Sequence, residues 1–80
     1  MRLDKYLKVS RLIKRRTVAN EACDAGRITV NSKPAKASYD VKEGDLIEIK
    51  MGEKVIKVKV LKIAEHVLKD GAAELYEIMS

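Results

Sequence analysis

Apolar residues follow a helical period near the start of the chain. Leu3, Tyr6 and Leu7 recur at spacings of three and four, which predicts a short helix over residues 2–8. The next apolar pair does not continue that period. We therefore expect a tight connection over residues 9–14 and not one long helix.

A second helical pattern follows that connection. Thr17 is a suitable N-cap for it, and Val18, Ala22 and Ala25 are expected to form its inner stripe. The single cysteine, directly after Ala22, is expected against or near that stripe. Gly26 has the C′ position at which many helices end.

β-Branched residues alternate over residues 27–30, and Asn31 and Ser32 are turn formers. The chain resumes an extended pattern at residues 33–34, which predicts a small hairpin. Because the second of these is proline, which lacks an N–H group, the return strand is expected at the edge of a sheet. Residues 35–39 carry no periodic signal and are expected to form a loop.

The second half of the chain predicts another hairpin. A turn over residues 42–45 leads into a strand over residues 46–51, and a glycine–glutamate turn follows. Lysine then alternates with valine over residues 54–62, a half-exposed strand pattern whose period slips at Ile56 and predicts a bulge. These lysines are expected on the outer face of an edge strand, where charge prevents aggregation.

The last segment has a helical composition. Residues 72–79 hold good helix formers with Leu75 and Ile78 at helical spacing, so a short C-terminal helix is expected, with a final strand as the alternative. Together the patterns predict a single α+β domain over residues 1–80, in which two N-terminal helices pack on a small antiparallel sheet.

Positive charge is concentrated in the first part of the chain. Residues 1–36 hold ten lysines and arginines against three acids, whereas residues 37–80 hold seven against nine, within a formal net charge of +5. Every arginine lies in the first part. Because the planar guanidinium group suits phosphate, this asymmetry indicates a polyanionic partner, with nucleic acid as the leading candidate.

Two helices joined by a short connection can bring basic side chains from both onto one face. The residues expected there are Arg2, Lys5, Lys8, Arg15 and Arg16, with Arg11, Lys14 and Arg27 in a second rank and Lys33 as an extension onto the hairpin. The start of the second helix adds unpaired N–H groups and a positive dipole end. Phosphate contacts carry no information about base sequence, so this face would recognise the shape of the nucleic acid. The segregation of charge disfavours the alternative of a merely solvated surface.

Other chemistry finds little support in the composition. With one cysteine, Cys23, and one histidine, His66, the chain has neither an internal disulfide nor a metal-ligand cluster, and 80 residues leave no room for a catalytic domain. We therefore expect no catalytic residue, cofactor or metal. No apolar stretch is long enough for a signal peptide or a membrane span, so a cytoplasmic protein without membrane contact is expected.

Four further residues receive structural interpretations. Cys23 is expected to be a small buried hydrophobe and not a nucleophile, and Tyr6 a core residue and not a platform for base stacking. Asp45 is attributed to turn chemistry. Asp4 is favourable to the dipole of the first helix and is able to pair with a neighbouring arginine.

Four runs of the chain, in their order and spacing, resemble the RNA-binding module named after small-subunit ribosomal protein S-four. They are Arg2-Leu3-Asp4-Lys5-Tyr6-Leu7, Lys14-Arg15-Arg16-Thr17, Ala22 with Ala25-Gly26-Arg27-Ile28-Thr29-Val30-Asn31, and Gly44-Asp45-Leu46-Ile47. The resemblance implies an α-L fold, with two helices on a small twisted sheet, whose basic face docks on structured RNA. Many members have glycine after the turn asparagine, where this chain has Ser32.

The free-standing module and its ending, residues 64–67 and 70–77, are similar to the RqcP (YabO) family and more distantly to the fifteen-kilodalton heat-shock protein. This resemblance implies a factor of ribosome-associated quality control that binds the large ribosomal subunit while it still holds peptidyl-tRNA. It implies contacts with large-subunit rRNA and with that tRNA. It also implies cooperation with an RqcH-type factor, which recruits alanyl-tRNA for a C-terminal alanine tail on the stalled nascent chain.

Two other functions stay open at this point. The first 25 residues also fit a helix-turn-helix DNA-binding regulator, although the second helix lacks a run of base-reading side chains. A constitutive structural ribosomal protein would carry the same basic face and would be present on all ribosomes.

Overall fold

A computed structural model describes residues 1–79, without the side chains of Lys69 and Asp70. Its elements are α1 Leu3–Val9, α2 Arg16–Asp24, β1 Ile28–Val30, β2 Lys33–Pro34, β3 Leu46–Met51, β4 Lys54–Val60, a 3₁₀ helix Lys69–Leu75 and β5 Tyr76–Ile78. The strands form one antiparallel sheet in the order β2-β1-β3-β4-β5. This confirms the α+β class and the edge position of residues 33–34. None of the helices within residues 1–79 has the length and apolar character needed to cross a membrane.

The core lies between one face of the sheet and the helices. Ile28 pairs with Ile49, and Ile47 pairs with Val58, so alternate residues of three neighbouring strands share a face. These residues form one buried cluster with the apolar side of α1, which includes Tyr6. The direction of α1 relative to the sheet is therefore fixed by apolar packing.

The first turn of α1 is held by the loop at residues 35–39. The N–H groups of Leu3 and Asp4 donate to the carbonyl oxygens of Tyr39 and Ala37, at 2.8 and 3.2 Å. Backbone carbonyls thus take the place of a capping side chain. The N-terminus of α1 is therefore occupied by backbone carbonyls of the protein itself. The predicted loop over residues 35–39 is confirmed.

The two ends of α2 differ in how well they were predicted. Gly26 has a φ of 73°, and its N–H donates to the Cys23 carbonyl, while the Arg27 N–H donates to the Ala22 carbonyl. This is the Schellman arrangement, which confirms Gly26 at C′. The Thr17 N-cap is wrong, because the Arg15 carbonyl already accepts the Ala19 N–H and the helix begins two residues earlier than a Thr17 cap requires.

The predicted inner stripe of α2 is wrong for Val18 and Ala25 and holds in part for Ala22. Ala19 and Cys23 are the buried residues of this helix, whereas Val18 is 46% exposed and Ala25 is exposed. The face of α2 toward the core is set by packing against α1 and the sheet, where small side chains fit. Val18 therefore lies on a side that the core does not use, whereas Ala22 is partly buried and packs against the core.

Two expectations for β4 do not hold. It pairs with β3 residue by residue, from Met51–Lys54 to Leu46–Lys59, without a bulge. In the sequence the alternation of apolar residues slips at Ile56 only because Val55 lies exposed on the outer face of the sheet, while Ile56 lies on the inner face with the valines that follow. β4 is also not an edge strand, because β5 pairs with it over Val58–Val60.

The predicted helix over residues 72–79 is wrong, and the alternative of a final strand is confirmed. The chain forms the 3₁₀ helix and then β5. The carbonyl of Leu75, which is buried, accepts N–H groups from Leu61 and Lys62 and the hydroxyl of Tyr6. These long-range bonds and the pairing with β4 override the local preference for an α-helix.

The β1–β2 hairpin places two non-glycine residues in the left-handed region. Asn31 has a φ of 52° and Ser32 a φ of 70°. Positive φ at both central residues is the type I′ geometry that suits the twist of a two-residue hairpin. Asparagine tolerates this conformation, whereas it strains serine by about 1–2 kcal/mol.

Ser32→Gly is therefore expected to stabilise the fold. Relief of the left-handed strain exceeds the extra entropy of glycine in the unfolded chain, for a gain of about 0.5–1 kcal/mol and a rise in Tm of roughly 2–8 °C for a chain of this size. Calorimetry measures it. Ser38→Gly, in an exposed loop position of negative φ, is the control, and an equal fall in Tm for both variants would contradict the analysis.

Candidate nucleic-acid interface

A buried carboxylate joins two arginines from different helices. The Asp4 side chain is only 3% exposed. Its Oδ1 lies 3.2 Å from Arg2 Nε, and its Oδ2 lies 3.3 Å from Arg16 Nε. The Asn20 amide, one turn after Arg16, donates to Oδ2 at 3.4 Å. We call these four residues the arginine corner.

Opposing influences act on the pKa of Asp4. Burial by itself raises this pKa, but hydrogen bonds from Arg2, Arg16 and Asn20 together outweigh burial and hold the pKa below its ordinary value. The carboxylate is therefore charged at neutral pH. A charge in this position must remain paired, because an isolated buried carboxylate is strongly unfavourable.

Both arginines still face solvent. Their side chains are 51% and 45% exposed for Arg2 and Arg16. Each uses Nε and Nη2 toward Asp4, while a guanidinium carries five N–H donors. Donors on the outer edge of each group are thus free to bind a phosphate without release of the carboxylate.

The start of α2 adds backbone donors beside Arg16. Within residues 1–79 no side chain caps this N-terminus, and its first turn contains no acid. The exposed N–H groups and the positive end of the helix favour an anion at this point. Guanidinium and backbone donors therefore converge on the same corner.

Lys5 lies apart from the corner, in an ion pair with Glu65. A hydrogen bond from this lysine holds the pKa of the exposed Glu65 carboxylate below its ordinary value. The contact connects α1 to the segment after β4. Lys5 is thus partly neutralised within the protein, whereas none of the other predicted basic residues outside the corner forms an ion pair with an acid that the structure describes.

The remaining predicted residues line two hollows. Lys8, Arg11 and Lys14 line one hollow of about 580 Å³ together with Glu65 and His66. The second hollow is a groove lined by basic residues from the α1–α2 connection, the residue before β1, and β3, which are Arg11, Lys14, Arg15, Arg27 and Lys50. Apart from Lys5 and Lys33, the structure thus divides the predicted basic residues between the arginine corner and these hollows. Lys33 lies exposed on β2.

Sequence reasoning did not identify two participants. Asn20 joins the corner through the spacing of four from Arg16, which places both on one side of α2. Lys50 reaches the groove because β3 pairs with β1 and its N–H donates to the Arg27 carbonyl at 2.9 Å. The spacing of Asn20 from Arg16 can be read from the sequence, whereas the position of Lys50 depends on the register of β3 with β1.

The other structural interpretations are confirmed. Tyr6 is fully buried, and its hydroxyl donates to the Leu75 carbonyl at 2.7 Å. Burial raises the pKa of the Cys23 thiol to about 11, so the thiol is neutral and unreactive. Asp45 accepts the Lys42 N–H at 2.9 Å and holds the turn before β3.

The S4 domain family model matches residues 1–47, which contain both helices, β1 and β2. The chain belongs to the S4 domain family. Within it, the chain is 58% identical over 80 residues to the RQC P-site tRNA stabilizing factor of Streptococcus pneumoniae, covering 100% of this chain and 91% of that protein.

A second relative and a solved structure are also similar to this chain. The RQC P-site tRNA stabilizing factor of Halalkalibacterium halodurans is 56% identical over 78 residues, which cover 98% of this chain and 89% of that protein. The trimeric structure of Vibrio cholerae heat shock protein 15 has a TM-score of 0.92 at 28% identity, and covers 100% of this chain and 82% of that one. Both resemblances inferred from the sequence are confirmed.

The Asp4 carboxyl is expected to titrate below 3.8, its ordinary pKa. Because folding lowers this pKa, Asp4 contributes stability that is complete above the unfolded value and is lost as the pH falls through the folded one. NMR titration of the side-chain carboxyl carbon gives the pKa, and urea unfolding at descending pH gives the stability. A midpoint at or above 3.8, or an acid transition that Asp4→Asn leaves unchanged, would contradict this.

Proposed function

We propose that this chain is a non-catalytic RNA-binding factor that holds P-site tRNA on the large ribosomal subunit during ribosome-associated quality control. Relatives that align over nearly the whole chain carry the corresponding name. The observation that carries the proposal is the arginine corner, in which two solvent-facing guanidinium groups are fixed on one buried carboxylate.

The corner would bind the sugar–phosphate backbone. Arg2 and Arg16 are held by Asp4 before RNA arrives, so little side-chain freedom is lost on binding. Arginine binds phosphate oxygens through paired N–H donors, and the N–H groups at the start of α2 add to them. Such contacts recognise where phosphates stand in space, which suits a folded RNA.

A second basic group supports contact with a second RNA segment. Lys8, Arg11 and Lys14 line a hollow that Arg2 and Arg16 do not line, so one small domain presents a second group of cations outside the arginine corner. We infer that the chain bridges peptidyl-tRNA and large-subunit rRNA in the cytoplasm. It would keep the tRNA in place while an RqcH-type factor directs each addition of alanine.

Arg16→Ala is expected to weaken association with tRNA-bearing large subunits at least about tenfold, since it removes a charge-assisted contact to phosphate. The fold should persist, because Arg2 and Asn20 still bond Asp4. Gradient co-sedimentation measures association, and circular dichroism checks folding. The matched control is Lys59→Ala, which removes one exposed charge from the sheet and should leave association unchanged.

Salt dependence tests the nature of the contact. Loss of a phosphate contact should reduce the slope of log affinity against log salt by roughly 0.7–0.9. Equal association of Arg16→Ala and Lys59→Ala would remove Arg16 from the site. Tighter binding to duplex DNA than to large-subunit RNA at matched salt would favour a DNA-binding regulator, and equal occupancy of all ribosomes would favour a structural ribosomal protein.

A further inference from the structure

A groove of about 670 Å³ lies where the α1–α2 connection, α2 and the β3–β4 turn meet. Its apolar lining is aliphatic and consists of Leu12, Ile13, Val18, Ala22, Ile49 and Met51. Val18 and Met51 are 46% and 52% exposed. Single exposed hydrophobic residues are ordinary, but several that converge in one concavity indicate a binding surface.

The rim of this groove is entirely positive. Five cations line it, and no acid whose side chain the structure describes does. None of these five forms an ion pair with an acid that the structure describes. A complementary ligand therefore has an apolar body and negative charge around it.

The lining favours a protein segment over a nucleobase. Proteins that bind unstacked bases place aromatic side chains or arginine planes against them. Within residues 1–79 neither a tyrosine nor the histidine lines the groove, so of these partners only the arginines of its rim are present, and the apolar part of the lining is aliphatic. A floor of leucine, isoleucine, valine and methionine matches aliphatic anchors.

A helical segment fits better than an extended one. An added strand needs free backbone donors and acceptors at a sheet edge. At this groove Ile49 lies between β1 and β4, and the Lys50 N–H already donates to the Arg27 carbonyl. A helix satisfies its own backbone hydrogen bonds and presents apolar side chains at spacings of three and four.

We propose that this groove docks an acidic amphipathic helix of a partner protein, with aliphatic anchors on the floor and carboxylates against the basic rim. The site is distinct from the arginine corner, because Arg2 and Arg16 do not line it. The domain would then join an RNA on one side to a protein on another.

Arg11 provides a variant that separates charge from folding. Its φ of 63° lies in the left-handed region, at the C′ position after α1. Glycine is the residue that this backbone favours. Arg11→Gly therefore removes one cation of the rim and at the same time relieves the left-handed backbone strain at this position.

The test uses synthetic helical peptides of about twenty residues, enough for several turns. The first peptide has leucine at helical spacings of three and four among glutamates. The second replaces each leucine with serine, and the third replaces each glutamate with glutamine. Binding to the full chain is measured by fluorescence anisotropy, and the contacted residues by backbone NMR shifts. A single-stranded RNA oligonucleotide is titrated in parallel.

The first peptide should shift the resonances of Val18, Ala22 and Met51 and should bind at least tenfold more tightly than either of the others. The double variant Val18→Ser with Met51→Ser should abolish that preference without loss of RNA association. Arg11→Gly should weaken peptide binding severalfold, and Arg16→Ala should leave peptide binding unchanged. Arg11 and Lys14 also line the hollow assigned to RNA, so the decisive resonances are those of Val18 and Met51. No peptide-specific shifts of these two residues, or shifts of both produced by the RNA oligonucleotide alone, would overturn the proposal.

Discussion

The ion pairs of Asp4 are the interaction on which the proposed interface depends. Arg2 precedes α1 and Arg16 begins α2, so their separation is set by two independent helices. One carboxylate within hydrogen-bonding reach of both makes that separation definite. A basic protein thus places a negative charge at the centre of its candidate RNA site. The carboxylate lowers the local positive charge, but it gives the two guanidinium groups a fixed direction.

The core of the domain positions that carboxylate. α1 is packed through apolar side chains such as Leu3 and Tyr6, and the Tyr6 hydroxyl is bonded to the Leu75 carbonyl near β5. The backbone of residues 35–39 holds the first turn of the same helix. Asp4 follows Leu3 directly, so its inward direction is a consequence of this packing. The packing of the core therefore determines where the carboxylate lies, and the carboxylate in turn determines the direction of the two arginines.

The features that could be predicted from the sequence are local ones. The apolar period of α1, the glycine after α2 and the asparagine–serine turn each act within a few residues, and each is found. The misplaced features are those decided at long range. Val18 has the right spacing for an inner stripe, yet Ala19 and Cys23 are the buried residues of α2. The C-terminal segment pairs with β4 despite good helix formers. The arginine corner joins residues 12 and 16 positions apart, so the sequence indicated its charges but not its geometry.

The most direct measurement of the central claim is the affinity of Asp4→Asn for tRNA-bearing large subunits, with folding verified by NMR. This substitution keeps the shape of the side chain and raises the net charge by one from +5. If Asp4 orients Arg2 and Arg16, association weakens although the protein has become more positive. If positive charge alone determines binding, association strengthens, and an orienting role for the buried carboxylate is contradicted.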